Sequence, residues 1–238
     1  MSNTTMRLDR FLELSGACKS RTDAKKVLHN HCVYVNDILC LKAESKVDPE
    51  QDVVLVNGTR YTYKEFRYFV LNKPEGVISA TKDRISDTVL ALIPEADSER
   101  YFPVGRLDKD TEGLLLITND GALSHALLSP KKEIPKTYYF ETDGELPDNA
   151  SEALKQPIVF KEFTSKPAEL MIKSKCSGEI TVTEGKYHEV KRLIHTLGVD
   201  VTYLKRISFG PLSLGTLEKG EERPLTEAEI EALRDAVR

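Results

Sequence analysis

A polar loop runs directly into a strongly apolar segment at residues 104–121, VGRLDKDTEGLLLITNDG. The apolar part, Leu114–Ile117, is far too short to cross a bilayer and is typical of a strand in the core of a sheet. A loop that is anchored by a core strand gives reactive side chains a rigid support, and functional residues are common on such loops. This segment is therefore the first candidate for a functional site.

The chain from residue 67 onwards alternates irregularly between strand-like and helix-like segments, and no fixed period repeats. Apolar patterning and turn residues predict strands at 68–71, 114–117, 137–140, 170–172, 179–182 and 201–208, and helices at 121–128, 187–197 and 227–237. Thr226 and Glu229 form a capping-box pattern at the start of the last helix. We predict an α+β fold with a mixed, mostly antiparallel sheet flanked by helices.

The N-terminal segment has a different pattern. Residues 7–30 predict two short helices, the second capped by Ser20, and short strands joined by turn residues follow at 33–35, 38–39 and 53–56. The stretch 57–66, NGTRYTYKEF, has the character of a connection. We therefore predict a small domain at 1–60, a linker at 61–66 and a larger domain at 67–238.

The net charge of −4 does not by itself indicate a nucleic-acid-binding protein, so any RNA-binding surface has to be local. Residues 1–31 hold six Lys or Arg residues against three acids, whereas residues 32–60 hold three against five. A charged run on a helix is usually a solvated face. Two helices that carry this charge and are followed by a hairpin favour binding to RNA phosphates instead.

The four cysteines, at positions 18, 32, 40 and 176, indicate reduced thiols in a cytoplasm, since neither a signal peptide nor a membrane-spanning run is visible. The alternative is a zinc site built from His29, His31, Cys32 and Cys40. It is disfavoured because structural zinc sites usually show paired ligands at short fixed spacing, and this cluster has no CxxC pair. We expect no metal and no cofactor.

The acidic loop before the core strand is open to several interpretations. Asp108, Asp110 and Glu112 begin like a calcium-binding loop, but position twelve is Asn119 rather than Glu and the second half is apolar. A turn rich in Asp and Thr needs no catalytic purpose at all. A metal-dependent nuclease would use Asp108 and Asp110 together with Asp120.

The stretch G-R-L-D-x-x-T-x-G-L-L-L-x-T-x-D-G closely resembles the signature of the RsuA-like branch of pseudouridine synthases. Its fixed positions are filled here by Gly105, Arg106, Leu107, Asp108, Thr111, Gly113, Thr118, Asp120 and Gly121. The resemblance implies that Asp108 is the catalytic nucleophile. It also implies that Arg106 helps to hold the target base out of the RNA helix, which suits its planar, stacking guanidinium.

Two further segments match that family in the expected order. Residues 135–138, PKTY, resemble its second motif, which implies that Tyr138 stacks on the target base; its strand-like surroundings alone would make it a core residue. Residues 184–192, EGKYHEVKR, resemble the third motif. This match implies that Lys191 lies beside the aspartate and keeps it ionised, as a nucleophile requires, whereas charge alone would make it a surface lysine.

Three other residues of the chain complete this comparison. Glu189 departs from the family pattern, in which glutamine is expected, so a hydrogen bond from this side chain is not assigned. His188 and His195 have no evident partner in the sequence, and neither is predicted to be a catalytic base.

About the first 56 residues resemble the S4 RNA-binding domain, in which two helices present basic residues to structured RNA. The RNA contacts predicted on that basis are Arg7, Lys19, Arg21, Lys25 and Lys26. Together the resemblances imply an enzyme that isomerises a uridine of small-subunit (16S) ribosomal RNA to pseudouridine. No coiled coil or obvious dimer patch is visible in the sequence, so we expect a cytoplasmic monomer without membrane attachment. The alternatives are a synthase acting on 23S rRNA and a non-catalytic RNA-binding or ribosome-assembly protein of the same fold.

Overall fold

A computed structural model describes residues 5–30, 32–63, 65–93 and 101–238 of the chain. The chain divides into two compact units, Met1–Phe66 and Arg67–Arg238, and each has a hydrophobic core of its own. None of the helices in the described ranges is long and apolar enough to span a bilayer. The four cysteines are free thiols.

The first unit contains two short helices and two small sheets. Its elements are β1 (Met6–Arg7), α1 (Leu8–Leu14), α2 (Arg21–His29), β2 (Val33–Val35), β3 (Ile38–Leu39), β4 (Lys46–Val47), β5 (Val54–Val56) and β6 (Thr59–Tyr61). Strand β1 pairs with β4, and the other strands form a sheet in the order β3-β2-β5-β6. As predicted, Ser20 caps α2, because its Oγ accepts a hydrogen bond from the backbone N–H of Asp23 (3.2 Å).

Residues 59–61 belong to this sheet rather than to a connection. Asn57 and Gly58 both have positive φ (51° and 79°), the geometry of a two-residue hairpin turn, and Val56 pairs with Thr59. The interpretation of residue 57 onwards as a connection is therefore wrong, and Tyr61 of the predicted linker lies in β6. The physical reason is local, since an Asn-Gly pair between strand-like residues is a hairpin signal.

The second unit is built on one nine-stranded sheet. Its strands are β7 (Tyr68–Lys73), β8 (Phe102–Pro103), β9 (Glu112–Thr118), β10 (Lys136–Thr142), β11 (Glu169–Ser174), β12 (Ser177–Val182), β13 (Val201–Phe209), β14 (Leu212–Ser213) and β15 (Glu222–Pro224). They lie in the order β11-β12-β10-β13-β9-β7-β15, with β14 beside β13 and β8 beside β9. Strands β9 and β13 are parallel, and the other neighbours are antiparallel. The predicted α+β fold with a mixed, mostly antiparallel sheet is confirmed.

Helices cover both faces of this sheet. They are α3 (Gly121–Leu128), α4 (Ala150–Ala153), α5 (Glu189–His195) and α6 (Glu227–Ala236), with 3-10 turns at Val89–Leu92 and Pro130–Lys132. Because side chains alternate along a strand, β9 places Leu115 and Ile117 in the core beneath α4 and α5, and Leu114 and Leu116 in the core beneath α3 and α6. The central strand is thus buried on both faces, which fixes the position of the loop before it.

Gly113 lets β13 come close to the start of β9. This glycine has a φ of +103° and pairs with Arg206 of β13, and a Cβ atom in its place would collide with the backbone of Arg206. The close parallel pairing brings β13 next to the end of the loop that precedes β9.

Candidate active site

The acidic loop, residues 104–111, connects β8 to β9 and is tied to the sheet at its start. Val104 N–H donates to the carbonyl oxygen of Leu116 (2.7 Å), and Gly105 has a positive φ of 77°. Further along, Leu107 exchanges two hydrogen bonds with the hydroxyl of Ser79, at 2.9 and 3.0 Å. These contacts hold the backbone on either side of Arg106 and support the aspartate that follows.

Lys73, the last residue of β7, holds the second half of the loop in place through hydrogen bonds. Its side chain is fully buried. The ammonium nitrogen donates to the backbone carbonyl oxygens of Thr111 (2.8 Å), Pro74 (3.0 Å) and Asp108 (3.1 Å), with that of Lys109 at 3.4 Å. Burial lowers the pKa of Lys73 to about 8, although neighbouring carboxylates oppose this shift. Nothing in the sequence pattern indicated this role for Lys73.

A cavity of about 290 Å³ opens beside this loop. It is lined by four residues that the sequence singled out, from three separate parts of the second unit: Arg106, Asp108, Tyr138 and Lys191. Its volume lies near the lower end of the range for small-molecule sites, about 300 Å³. A cavity of this size suits one planar base better than a larger ligand.

Lys191 lies beside Asp108 but is bound more closely by Asp110. Its ammonium nitrogen is 3.8 Å from Asp108 Oδ2, and 2.7 and 2.8 Å from the two carboxylate oxygens of Asp110. The hydrogen bond from Lys191 lowers the pKa of Asp110. Asp110 therefore orients the ammonium group next to Asp108, a role that the sequence did not indicate.

His188 is a second nitrogen-bearing side chain next to Asp108. Its Nε2 lies 3.5 Å from Asp108 Oδ2, and its ring stacks on Tyr187 with 3.8 Å between the ring centroids. The sequence showed no partner for it, although it lies in the third motif. His195 instead pairs with Asp200 at 2.7 Å, and both side chains are largely exposed.

Tyr138 and Arg106 occupy different depths of the cavity wall. Tyr138, on β10, is 9% exposed and belongs to the core, but it also borders the cavity. Its ring therefore packs against the core and also borders the space that a flat ligand would occupy. Arg106 also borders the cavity but is exposed to solvent.

Two buried ionisable groups, Glu189 and Lys136, interact electrostatically in this part of the second unit. Glu189, the first residue of α5, lines the cavity, and its Oε2 accepts a hydrogen bond from the backbone N–H of Lys186 (3.2 Å). Burial raises the pKa of Glu189 to about 7. Lys136, on β10, donates to the carbonyl oxygen of Ile134 (2.8 Å), and burial lowers its pKa to about 8.

The structure does not favour the metal-dependent alternatives. In the described ranges, no cluster of three or more His, Cys, Asp or Glu side chains is placed to hold a metal ion. Of the hypothetical zinc ligands, Cys32 donates its thiol to the carbonyl oxygen of Val27 (3.1 Å), and His31 lies outside the described residues.

The other acids of the loop region are engaged in structural contacts. Asp120 caps α3 by accepting from Leu123 N–H (2.9 Å) and also accepts from the hydroxyl of Tyr68 (2.8 Å). Glu112 is buried and accepts from the hydroxyl of Tyr203 (2.8 Å). A nuclease or calcium site would need these carboxylates to point at a shared ion.

In the first unit, the five predicted RNA contacts are all exposed: Arg7, Lys19, Arg21, Lys25 and Lys26. Arg7 is bound by the buried carboxylate of Asp9 through two hydrogen bonds (2.9 and 3.1 Å), which raises the pKa of Arg7. The basic surface of α2 is thus open to solvent, while Arg7 also contributes to the unit's own structure.

Comparison with known proteins decides the family. Residues 67–231 match the family described as RNA pseudouridylate synthase. The chain belongs to the RNA pseudouridine synthase family. It is therefore an enzyme, an isomerase that acts on RNA, and the matched segment contains Asp108, Tyr138 and Lys191.

Relatives of this synthase match it over nearly its full length. An uncharacterised RNA pseudouridine synthase of Bacillus subtilis (strain 168) is 43% identical, over 97% of this chain and 99% of the relative. Ribosomal small subunit pseudouridine synthase A of Haemophilus influenzae is 33% identical (96% and 99% covered), and that of Escherichia coli K12 is 35% identical (94% and 98% covered). A crystal structure described as a pseudouridylate synthase superposes with a TM-score of 0.68 at 34% identity, covering 96% of this chain and 99% of that one.

Proposed function

We propose that this synthase converts a specific uridine of small-subunit (16S) ribosomal RNA to pseudouridine, with Asp108 as the nucleophile. The observation that carries the proposal is the convergence of Asp108, Tyr138, Lys191 and Arg106 on one small cavity. Similarity over almost the whole chain to two enzymes named as small-subunit synthases supports 16S over 23S rRNA.

The base must first leave the RNA helix to reach this cavity. Extrusion of a nucleotide costs a few kcal/mol, which contacts in the enzyme have to offset. Tyr138 supplies the face on which the uracil stacks. Arg106, at the exposed edge of the cavity, holds the base out of its helix with a planar guanidinium.

Asp108 then attacks either the ribose or the uracil ring. In both routes the bond between C1′ and N1 breaks, the base turns inside the cavity, and a bond forms between C1′ and C5. The proton on C5 is lost and N1 gains one, so the product is an isomer of the substrate and no oxidant or reductant is consumed. Lys191, at 3.8 Å, stabilises the negative charge of Asp108.

The test is to incubate unmodified 16S and 23S transcripts with the synthase, with and without a chelator, and to map pseudouridine by carbodiimide treatment and reverse transcription. We expect one new site in 16S rRNA that is unaffected by the chelator. A site in 23S rRNA alone would contradict the choice of substrate. Intact RNA with no new site, both as free transcript and in assembly intermediates, would contradict the proposed activity. Strand cleavage that stops with the chelator would indicate a nuclease.

We also propose that the first unit binds the RNA as an S4-like domain, and that the synthase works as a monomer in the cytoplasm. The double variant Arg21→Glu with Lys25→Glu is then expected to weaken RNA binding. It should also reduce the slope of affinity against salt concentration, because fewer counterions are released on binding. Filter binding between about 50 and 200 mM salt measures both effects.

The matched control carries the same change of charge at the end of strand β11, in Lys173→Glu within the strand and Lys175→Glu in the turn that follows it. These lysines are exposed and make ion pairs with Glu179 and Glu145. We expect the control to retain more affinity and a steeper salt dependence than the α2 variant. Equal affinities for the α2 variant and the unmodified synthase would contradict the S4-like assignment.

A further inference from the structure

Two acidic residues line the cavity and differ in burial. The side chain of Asp108 is 34% exposed, whereas Glu189 is only 5% exposed, yet both line the same space. Asp108 is therefore open to solvent, whereas Glu189 belongs to the buried part of the cavity wall. The proposed mechanism uses the first carboxyl group and gives the second no role.

Glu189 is buried without a direct ion pair among the residues that the structure describes. Its one side-chain hydrogen bond comes from the backbone N–H of Lys186. The charged groups that face it are Lys136 on β10 and, in the loop before α5, Glu184 and Lys186. The ammonium group of Lys136 donates to a backbone carbonyl oxygen, and the positive charge of Arg206 on β13 acts against that of Lys136. A buried carboxyl group with one hydrogen bond and no direct ion pair lowers the stability of the fold. Its presence at the cavity therefore indicates a functional role.

The shape of uridine indicates which part of the base can reach the buried part of the cavity wall. The ribose is attached at N1 and must stay next to the solvent-exposed Asp108. The edge of the ring that points away from the ribose carries N3–H between two carbonyl oxygens. With the ring stacked on Tyr138, this edge enters the cavity first. A carboxylate is a strong acceptor for such an N–H group.

The rotation of the base during the reaction does not break a hydrogen bond to N3–H. A half turn of uracil about the line through N3 and C6 exchanges the positions of N1 and C5, which is the exchange that the isomerisation requires. The same turn also exchanges the two carbonyl groups but leaves N3–H where it was. A hydrogen bond to N3–H is therefore the one edge contact that lasts through the rotation.

We propose that Glu189 accepts a hydrogen bond from N3–H of the extruded uracil and is the pivot about which the base turns. The proposal rests on the proposed function of the site. It also accounts for selection of uracil, since cytosine has a lone pair at N3 in place of the N–H, and the ionised carboxylate would repel it.

The test compares the pH dependence of kcat/KM for the unmodified synthase and Glu189→Gln, on an RNA that the synthase modifies at pH 8. The carboxylate of Glu189, whose pKa is about 7, is a stronger acceptor than either a protonated carboxyl group or an amide. We expect kcat/KM of the unmodified synthase to fall about tenfold as the pH is lowered from 8 to about 5.5, to the level that an uncharged acceptor supports. Glutamine is an uncharged acceptor at every pH, so the variant should have reduced kcat/KM at pH 8 and should lose this acid limb.

Two controls separate this role from others. Glu184→Gln makes the same change in the loop before α5 and should keep the acid limb. An acid limb caused by His188 or Asp108 would be the same in the unmodified synthase and in Glu189→Gln. Acid unfolding is also distinguished from the proposed loss of the hydrogen bond, because the pKa of Glu189 is higher in the folded protein than its ordinary 4.5. Its protonation thus stabilises the fold as the pH falls from about 7 to about 4.5, opposite to the loss of activity.

A second variant, Glu189→Met, removes the acceptor at similar volume. We expect kcat at pH 8 to fall about 100-fold while thermal unfolding shows a folded protein. An unchanged acid limb in Glu189→Gln, or wild-type kcat in Glu189→Met, overturns the pivot while leaving the proposed function intact. Failure of the proposed function looks different, since the unmodified synthase would then form no pseudouridine at pH 8.

Discussion

Asp108→Asn is expected to lower the rate of pseudouridine formation by at least about 10³-fold, or about 4 kcal/mol of transition-state stabilisation. An amide of the same shape cannot act as the nucleophile. The variant should fold normally, because the Asp108 side chain is partly exposed and the nitrogen atoms of His188 and Lys191 lie 3.5 and 3.8 Å from it, beyond ordinary hydrogen-bond length. Single-turnover assays on the target RNA measure the rate, and thermal unfolding checks the fold.

Asp110→Asn is the matched control for this variant. It makes the same chemical change two residues along the loop and removes the main partner of Lys191. Lys191 then loses its orientation but keeps its charge, so we expect a loss of about tenfold or less. If Asp110→Asn were as inactive as Asp108→Asn, or if Asp108→Asn kept most of its activity, the assignment of the nucleophile would be wrong.

Lys73→Met is expected to destabilise the second unit by about 3–5 kcal/mol, since each buried carbonyl oxygen left without a donor costs about 1–3 kcal/mol. The ammonium group is the hydrogen-bond donor for the carbonyl oxygens of Asp108 and Thr111, in the second half of the acidic loop. Methionine fills much of the same volume but donates nothing, so buried carbonyl oxygens lose their partner. Urea unfolding followed by circular dichroism measures the change.

The hydrogen bonds of Lys73 also predict that Lys73→Met loses activity. Because Lys73 bonds the carbonyl oxygen of Asp108 itself, its loss should also displace the nucleophile and lower kcat. Lys155→Met is the control, since Lys155 is exposed and pairs only with Glu152. We expect that change to stay within about 0.5 kcal/mol. A loss below about 1 kcal/mol for Lys73→Met would show that water or a loop rearrangement replaces its hydrogen bonds.

Much of the fold follows from signals that are local in the chain. The predicted helix at 121–128 is α3 residue for residue, and the capping box of Thr226 and Glu229 forms as expected. Strand periodicity located β9 and β10 to within one or two residues. Strand β6 was not predicted, although its signal is also local, since the Asn57-Gly58 turn is visible in the sequence. Such features depend on neighbouring residues only, so a sequence pattern is enough to predict them.

The polar loop before the core strand was likewise identified by its sequence, together with the family motif and the order of Asp108, Tyr138 and Lys191. What the sequence did not determine is how those side chains are held. Lys191 bonds a carboxylate 81 residues away, that of Asp110, and Lys73 bonds carbonyl oxygens 35 to 38 residues away. The burial that shifts the pKa of Glu189 comes from elements packed around it. These are decided only when distant segments pack together, because desolvation and hydrogen-bond geometry belong to the tertiary structure and leave no local pattern in the chain.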